Sequence, residues 1–233
     1  MVKKKLAKKK GNWRRAVAVS ASALAASGMF WYLTSVHGVK IPVPSYRAMR
    51  VIDGDTFETE ERQLIRLTGI DAPELENCHG PESKQALGQL VLDQNLYVKV
   101  IYRDGRHRLI SHVYNDEGSV SEQMIKTGMA YYSGTAVKDP ALGQAGAIAR
   151  EGKLGIFSPK CTQATNPNSQ TCVIKGNLRI PGNGNKTYHF PGCGNYNQTL
   201  IELYKGDQWF CTEAQAKKAG FAKGADCFEK EWK

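Results

Sequence analysis

Three short stretches of this chain hold residue types that together could act on a phosphodiester. Residues 51–57 read VIDGDTF and set Asp53 and Asp55 two apart across a glycine turn. Residues 65–74 read IRLTGIDAPE, an apolar run carrying Arg66 that ends in Asp71 and Glu74. Residues 104–110 read DGRHRLI and put Arg108 where another apolar run begins. Singly, each has a plainer explanation. Asp-Gly is a common turn, an Asp before Ala-Pro-Glu caps or turns the chain, and a lone Arg is a solvated strand charge. Jointly they offer two carboxylates and a backbone carbonyl, the hard oxygen ligands that Ca²⁺ or Mg²⁺ prefers. They also offer two planar guanidinium forks for phosphate oxygens and a further carboxylate to orient or deprotonate a water. That is the set required for metal-assisted phosphodiester hydrolysis.

The elements that must position these residues follow from periodicity. Strand-like runs at 46–51, 56–59 and 63–70 are joined by tight Asp-Gly and Glu-Glu turns, as in a meander. Residues 81–94 carry Ala86, Leu87, Leu90 and Val91 at helical spacing, with Pro81 suited to a first turn. Runs at 96–102 and 108–114 flank the Asp104-Gly105 turn. Helical patterns then cover 119–129, where Ser119 can cap before Glu122, and 140–151. The order of strands and helices predicts an α+β domain: a five-stranded barrel carrying three helices.

In these motifs and their order, residues 46–158 resemble the staphylococcal (micrococcal) nuclease family, through DGDT, Arg66, DAPE and the Asp104/Arg108-Leu109 pair. The resemblance implies a barrel of the oligonucleotide-binding type and a Ca²⁺-dependent endonuclease acting on DNA, RNA or both. It puts Asp55, Asp71 and the Ala72 carbonyl on the Ca²⁺, Arg66 and Arg108 on the attacked phosphate, and Glu74 on the attacking water. Asp53 would shape the metal loop from behind. Where the family usually has Tyr-Gly before the second arginine, this chain has Arg106-His107, and Tyr131 and Tyr132 are the nearest candidates for a base-stacking aromatic. A barrel that binds nucleic acid or envelope polysaccharide without cutting is the alternative.

Charge locates the rest. The net charge is +10, yet residues 1–15 contain eight Lys/Arg and no acid, while 45–160 has 14 basic and 16 acidic residues. The high pI therefore describes a tail, and the nuclease-like part must draw a polyanion with metal and arginines. The uncharged run 16–36 follows that tail, with Trp13 and Trp31 bracketing about 27 Å of helix. It is expected to be an uncleaved membrane anchor or a signal sequence, with a linker at 37–45 and the remaining chain outside the cytoplasm or secreted. A monomer is expected.

Six cysteines, with no CxxC pair, suit an exported chain carrying disulfides. A domain at 46–161 is expected to lead through a polar linker, 162–171, into a Cys- and Gly-rich module at 172–233. That module is distantly similar to the zinc module of the DNA methyl-phosphotriester repair protein. In the comparison His189, Cys193 and Cys227 fall on metal ligands, and Gly224 stands where a fourth would be. The resemblance makes Cys193 and Cys227 neighbours, which leaves Cys172 with Cys211 and Cys78 with Cys161, or else a residual zinc site. His189 beside Phe190 is otherwise a packed core histidine, and the module's aromatics are core.

Overall fold

A computed structural model describes residues 46–134, 138–178 and 186–232. The segments expected to be tail, anchor or signal, and linker (1–45) lie outside the described residues, among which no helix is long and apolar enough to cross a membrane.

The nuclease-like part is α+β. Strands β1 (Ala48–Val51), β2 (Thr56–Thr59), β3 (Leu64–Leu67), β6 (Leu109–Asn115) and β5 (Tyr97–Arg103) are hydrogen-bonded in that order, with β3 and β6 parallel. Isolated bridges join Tyr46 to Leu96 and Ala48 to Leu92, carrying the chain before β1 round to the approach of β5. Alternation explains which face is inside: Phe57, Ile65, Leu67, Leu109 and Val113 are buried, and Arg66 points the other way. Helices α1 (Gly80–Val91), α2 (Val120–Lys126) and α3 (Pro140–Glu151) supply Leu87, Val91, Met124, Ile125 and Leu142 to the same core. Full burial of such a side chain contributes about 1.5–3 kcal/mol. The short β7 (Gly118–Ser119) turns back on β6, Ser119 caps α2 by accepting from the Glu122 amide at 3.3 Å, and Asp139 caps α3.

The strand expected at 63–70 is broken. Gly69 takes φ +76°, a left-handed turn that costs glycine least, and the chain peels off as β4 (Ile70–Asp71). Strand β4 pairs with β8 (Tyr131–Tyr132), Asp71 lying opposite Tyr131. Helix α1 stops at Val91 rather than 94 because Leu92 turns extended to bridge Ala48, and α2 stops at Lys126 because the amides of Met129 and Ala130 turn back to the Met124 carbonyl.

The C-terminal module is a small sheet in the order β13 (Gln208–Phe210), β10 (Ile174–Leu178), β11 (Lys186–His189), β14 (Ala222–Lys223), with α4 (Glu213–Lys218) packed on it. Its core is Ile174, Tyr188, Phe190, Phe210, Ala216 and Phe221 around Cys193 and Cys227. The cysteines pair as Cys78–Cys161, Cys172–Cys211 and Cys193–Cys227. Thr162 and Gln163, at the start of the polar stretch, form β9 and pair with β12 (Ile201–Glu202). The Leu203 amide donates to the Cys161 carbonyl at 2.8 Å and Trp209 Nε1 to Gln163 Oε1 at 2.7 Å. Tyr204 is buried with Phe157, Ile156 and Ala149 of the barrel domain.

Candidate active site

The turn before β2 and the end of β4 meet at Arg66. Its two terminal nitrogens donate to Asp55 Oδ1 and to Asp71 Oδ1, so one guanidinium joins carboxylates from two elements. Strand pairing dictates this: β3 carries Arg66 outward beside Thr56, and the Gly69 turn brings Asp71 back alongside. Asp53 Oδ1 accepts from the Asp55 amide at 3.0 Å and fixes the turn between them. A side chain on Gly54 would lie 2.6 Å from the β-carbons of both Ala72 and Ser83, so glycine lets this turn press against the 71–74 loop and α1.

The Asp55 carboxyl is buried, accepting from the Thr56 hydroxyl at 2.8 Å and the Ala72 amide at 3.2 Å. Burial pushes it up to about 6, against the pull of Arg66, and the Asp53 charge adds to the rise. Burial works against the Arg66 charge too, but Asp55 and Asp71 outweigh it and hold the guanidinium above its ordinary range. Three carboxylates (Asp53, Asp55 and Asp71) thus surround one guanidinium. Such a cluster favours a further cation, and its all-oxygen donor set fits Ca²⁺ or Mg²⁺ rather than a thiophilic metal.

Arg108 is set by a tight loop. Asp104 Oδ1 accepts from the backbone amides of Arg106 and Arg108, and Oδ2 accepts from Arg108 Nε, each at 2.9 Å. These contacts lower the Asp104 pKa against the upward push of burial. Arg66 lies opposite Ile110 in the parallel β3–β6 pair, and Arg108 stands two residues before Ile110 at the entry to β6, where strand alternation carried back from Ile110 puts it on Arg66's side of the sheet. His107 stands at φ +62° in the turn, the backbone conformation that glycine serves best. Glu74 is exposed on the loop between β4 and α1, its carbonyl accepting from the Asn77 amide at 2.9 Å.

The structure therefore gathers Asp53, Asp55, Arg66 and Asp71 into one contact network, with the Ala72 amide at its edge. Arg108 shares the face, and Glu74 lies on the adjoining loop. Tyr132 is occupied otherwise, its hydroxyl accepting from the Asp139 amide at 3.0 Å. Tyr131 borders the site, its phenol held well above its ordinary range by burial and then by Asp71, Asp55 and Glu202. Glu202, Tyr204 and Lys205, which come from the C-terminal module, were not anticipated beside it. Nothing local in the sequence signals a contact across some seventy residues.

A family model described as staphylococcal nuclease homologue matches residues 64–159. A protein of Escherichia coli O157:H7 named as an uncharacterized endonuclease is 34% identical over 116 residues, 48% of this chain and 76% of that protein. The chain belongs to the staphylococcal nuclease family. Other relatives are an uncharacterized endonuclease of Haemophilus influenzae, 29% identical over 48% of this chain and 65% of its own length, and a rice protein. The latter, "Probable staphylococcal-like nuclease CAN1" of Oryza sativa subsp. japonica, is 36% identical over 42% of this chain and 30% of its own. This staphylococcal-nuclease-like protein is accordingly a hydrolase, a nuclease with nucleic acid as its substrate. The family match takes in Arg66, Asp71, Glu74, Arg108 and Tyr131 and ends before the Cys-rich module.

Proposed function

We propose that the protein is a Ca²⁺-dependent endonuclease cutting DNA, RNA or both outside the cytoplasm. The observation that carries this reading is the pairing of Asp55 and Asp71, from two elements, with the one guanidinium of Arg66. In this reading Asp55, Asp71 and the Ala72 carbonyl hold Ca²⁺, which supplies Lewis acidity toward a phosphate oxygen. Arg66 and Arg108 grip the phosphate with their planar forks and support charge that grows on it during attack. Glu74, on an open loop, orients or deprotonates the water. Asp53 fixes the Asp55 turn and touches neither metal nor substrate.

Export is part of the proposal. It rests on the basic tail followed by the uncharged run 16–36 and on three disulfides, which persist in oxidising compartments. Whether that run anchors the chain or is removed does not alter the chemistry, and a monomer suffices for it. The zinc-module kinship of the C-terminal part is likewise proposed, on His189, Cys193, Gly224 and Cys227, with the Cys193–Cys227 bridge in place of a metal.

The test is a Ca²⁺ titration of phosphodiesterase activity on single-stranded DNA with purified protein. Activity should rise with Ca²⁺ and vanish with a chelator, and Asp55→Ala or Asp71→Ala should weaken activity and Ca²⁺ response together. Turnover indifferent to chelation would overturn the metal assignment.

A further inference from the structure

The sheet face that carries Arg66 continues past the site onto β6 and β5. Arg66 is opposite Ile110 across β3 and β6, and Ile110 is opposite Tyr102 across β6 and β5. Two strand spacings put Tyr102 about 10 Å from Arg66 along that row, main chain to main chain. The next rows set His112 opposite Lys99 and Tyr114 opposite Tyr97, since alternate residues of a strand share a face. Tyr102 owes its place to a bulge. Alternation from Lys99 would bring Ile101 to this face, but the register shifts between Val100 and Tyr102, and the extra residue re-aims the tyrosine beside Ile110.

This face presents rings and positive charge to solvent. Tyr102 is 46% exposed and Tyr114 41%. Among the described residues, no hydrogen bond or ion pair engages the side chains of Lys99, Tyr102, His112 or Tyr114. The charge here runs against that of the domain: residues 97–114 hold four of the 14 basic residues of 45–160 and one of its 16 acids. That acid, Asp104, is taken up by Arg108 at 2.9 Å. Asp116, past the far end of β6, accepts from the Asn95 amide at 3.1 Å and the Tyr97 hydroxyl at 3.3 Å. Between the two, the strand pair carries no carboxylate. Open phenol rings interleaved with cations suit a flexible polyanion whose bases are flat.

We propose that the β5–β6 face is the track for single-stranded nucleic acid flanking the cut, with Tyr102 stacking on a base and Lys99 pairing with a neighbouring phosphate. The proposal rests on the nuclease reading and extends the substrate site beyond Arg66 and Arg108. It also supplies the stacking ring that Tyr131 and Tyr132 do not offer. Tyr131 packs on Tyr204 with centroids 5.5 Å apart, and Tyr132 is bonded to Asp139. Bases in a duplex already have both faces covered, so the track favours unpaired strands.

The test uses full-length protein and a phosphorothioate octanucleotide, which keeps charge and bases but resists cleavage, with binding read by fluorescence anisotropy across a salt series. Tyr102→Ala should weaken binding roughly fivefold or more, and Tyr102→Phe should restore it, since the ring alone stacks. Annealing the strand to its complement should abolish the difference between Tyr102→Ala and the unaltered protein. Lys99→Ala should make the slope of log affinity against log salt shallower by about 0.7, the value for one phosphate on a single strand, and Lys99→Arg should restore it. With ordinary linkages, both alanine variants should lower the octanucleotide-to-dinucleotide ratio of kcat/KM. Unchanged affinity in Tyr102→Ala, an unchanged slope in Lys99→Ala, or equal losses on single strand and duplex would each overturn the track. So would a dimer in sedimentation that Tyr102→Ala dissociates, because the face would then belong to a second copy of the chain. The binding results stand without turnover. Absence of turnover on both substrates would instead count against the catalytic roles proposed above.

Discussion

The barrel and the C-terminal module solve the same problem with different means. The barrel buries a continuous aliphatic core, with Phe57, Ile65, Leu67, Leu87, Val91, Val113, Met124 and Ile125 all but inaccessible. The module gathers a few aromatic rings around a half-cystine pair and adds a second bridge between its strands, across sequence separations of 34 and 39 residues. A segment that short removes too little apolar surface to offset its conformational entropy, so crosslinks that restrict the unfolded chain must supply the balance. The residues proposed for catalysis lie on the region with the aliphatic core, and the crosslinked region is fastened beside them.

The sharpest way to probe this division is to disable each half by its own means. The largest effect should come from the barrel's chemistry. Arg66→Lys should lower turnover about 10²-fold or more, because an ammonium cannot reproduce a fork that serves two oxygens, while the module's melting stays as it was. Arg108→Lys should behave alike; near-normal turnover in either would remove that arginine from the phosphate.

Reduction should act on the other half. Each module bridge contributes about 2–4 kcal/mol, so a reductant should unfold the module at temperatures where the barrel still turns over a dinucleotide. Tryptophan emission reads this selectively among residues 46–233, since Trp209 and Trp232 are both in the module and the barrel has none. Simultaneous loss of both signals would show that the two regions melt as one.

The smallest effect concerns acidity. Burial pushes the Asp207 carboxyl up to about 6 despite its backbone donors. A carboxyl whose pKa is higher folded than unfolded stabilises the fold while protonated. Its contribution is whole below about pH 4 and is lost as pH rises through about 6. Asp207→Asn should flatten that part of the module's melting profile, a difference of a few degrees, while lowering stability throughout by facing an amide donor with donors. An unaltered pH dependence would place the titration elsewhere.

Much of the barrel was legible in the sequence because its determinants are local. The Asp-Gly and Glu-Glu turns bounded β2, Ser119 marked a helix start, and DGD and DAPE put carboxylates at turn ends where strand pairing could bring them to Arg66. The break at Gly69 was not legible, since the apolar run continues through it and the left-handed turn is visible only in three dimensions. The pairing of the cysteines came from a resemblance, spacing alone leaving it open. Contact of Tyr204 and Lys205 with Tyr131 left no trace at all. It depends on two-residue strands, β9 and β12, too short to imprint any periodicity.

Those two strands also set where this protein can be cut. Thr162 and Gln163 are bonded through the main chain to Ile201 and Glu202, and Cys161 receives Leu203 in the same way. Main-chain ladders are indifferent to most side-chain exchange, so surface drift would leave the two regions in register. Grafting is another matter. A barrel excised at residue 161 would shed the Tyr204 ring that packs on Tyr131 and Phe157. A transplant of the module onto another scaffold would need to bring 161–163 with it, making the seam, rather than either region, the portable part.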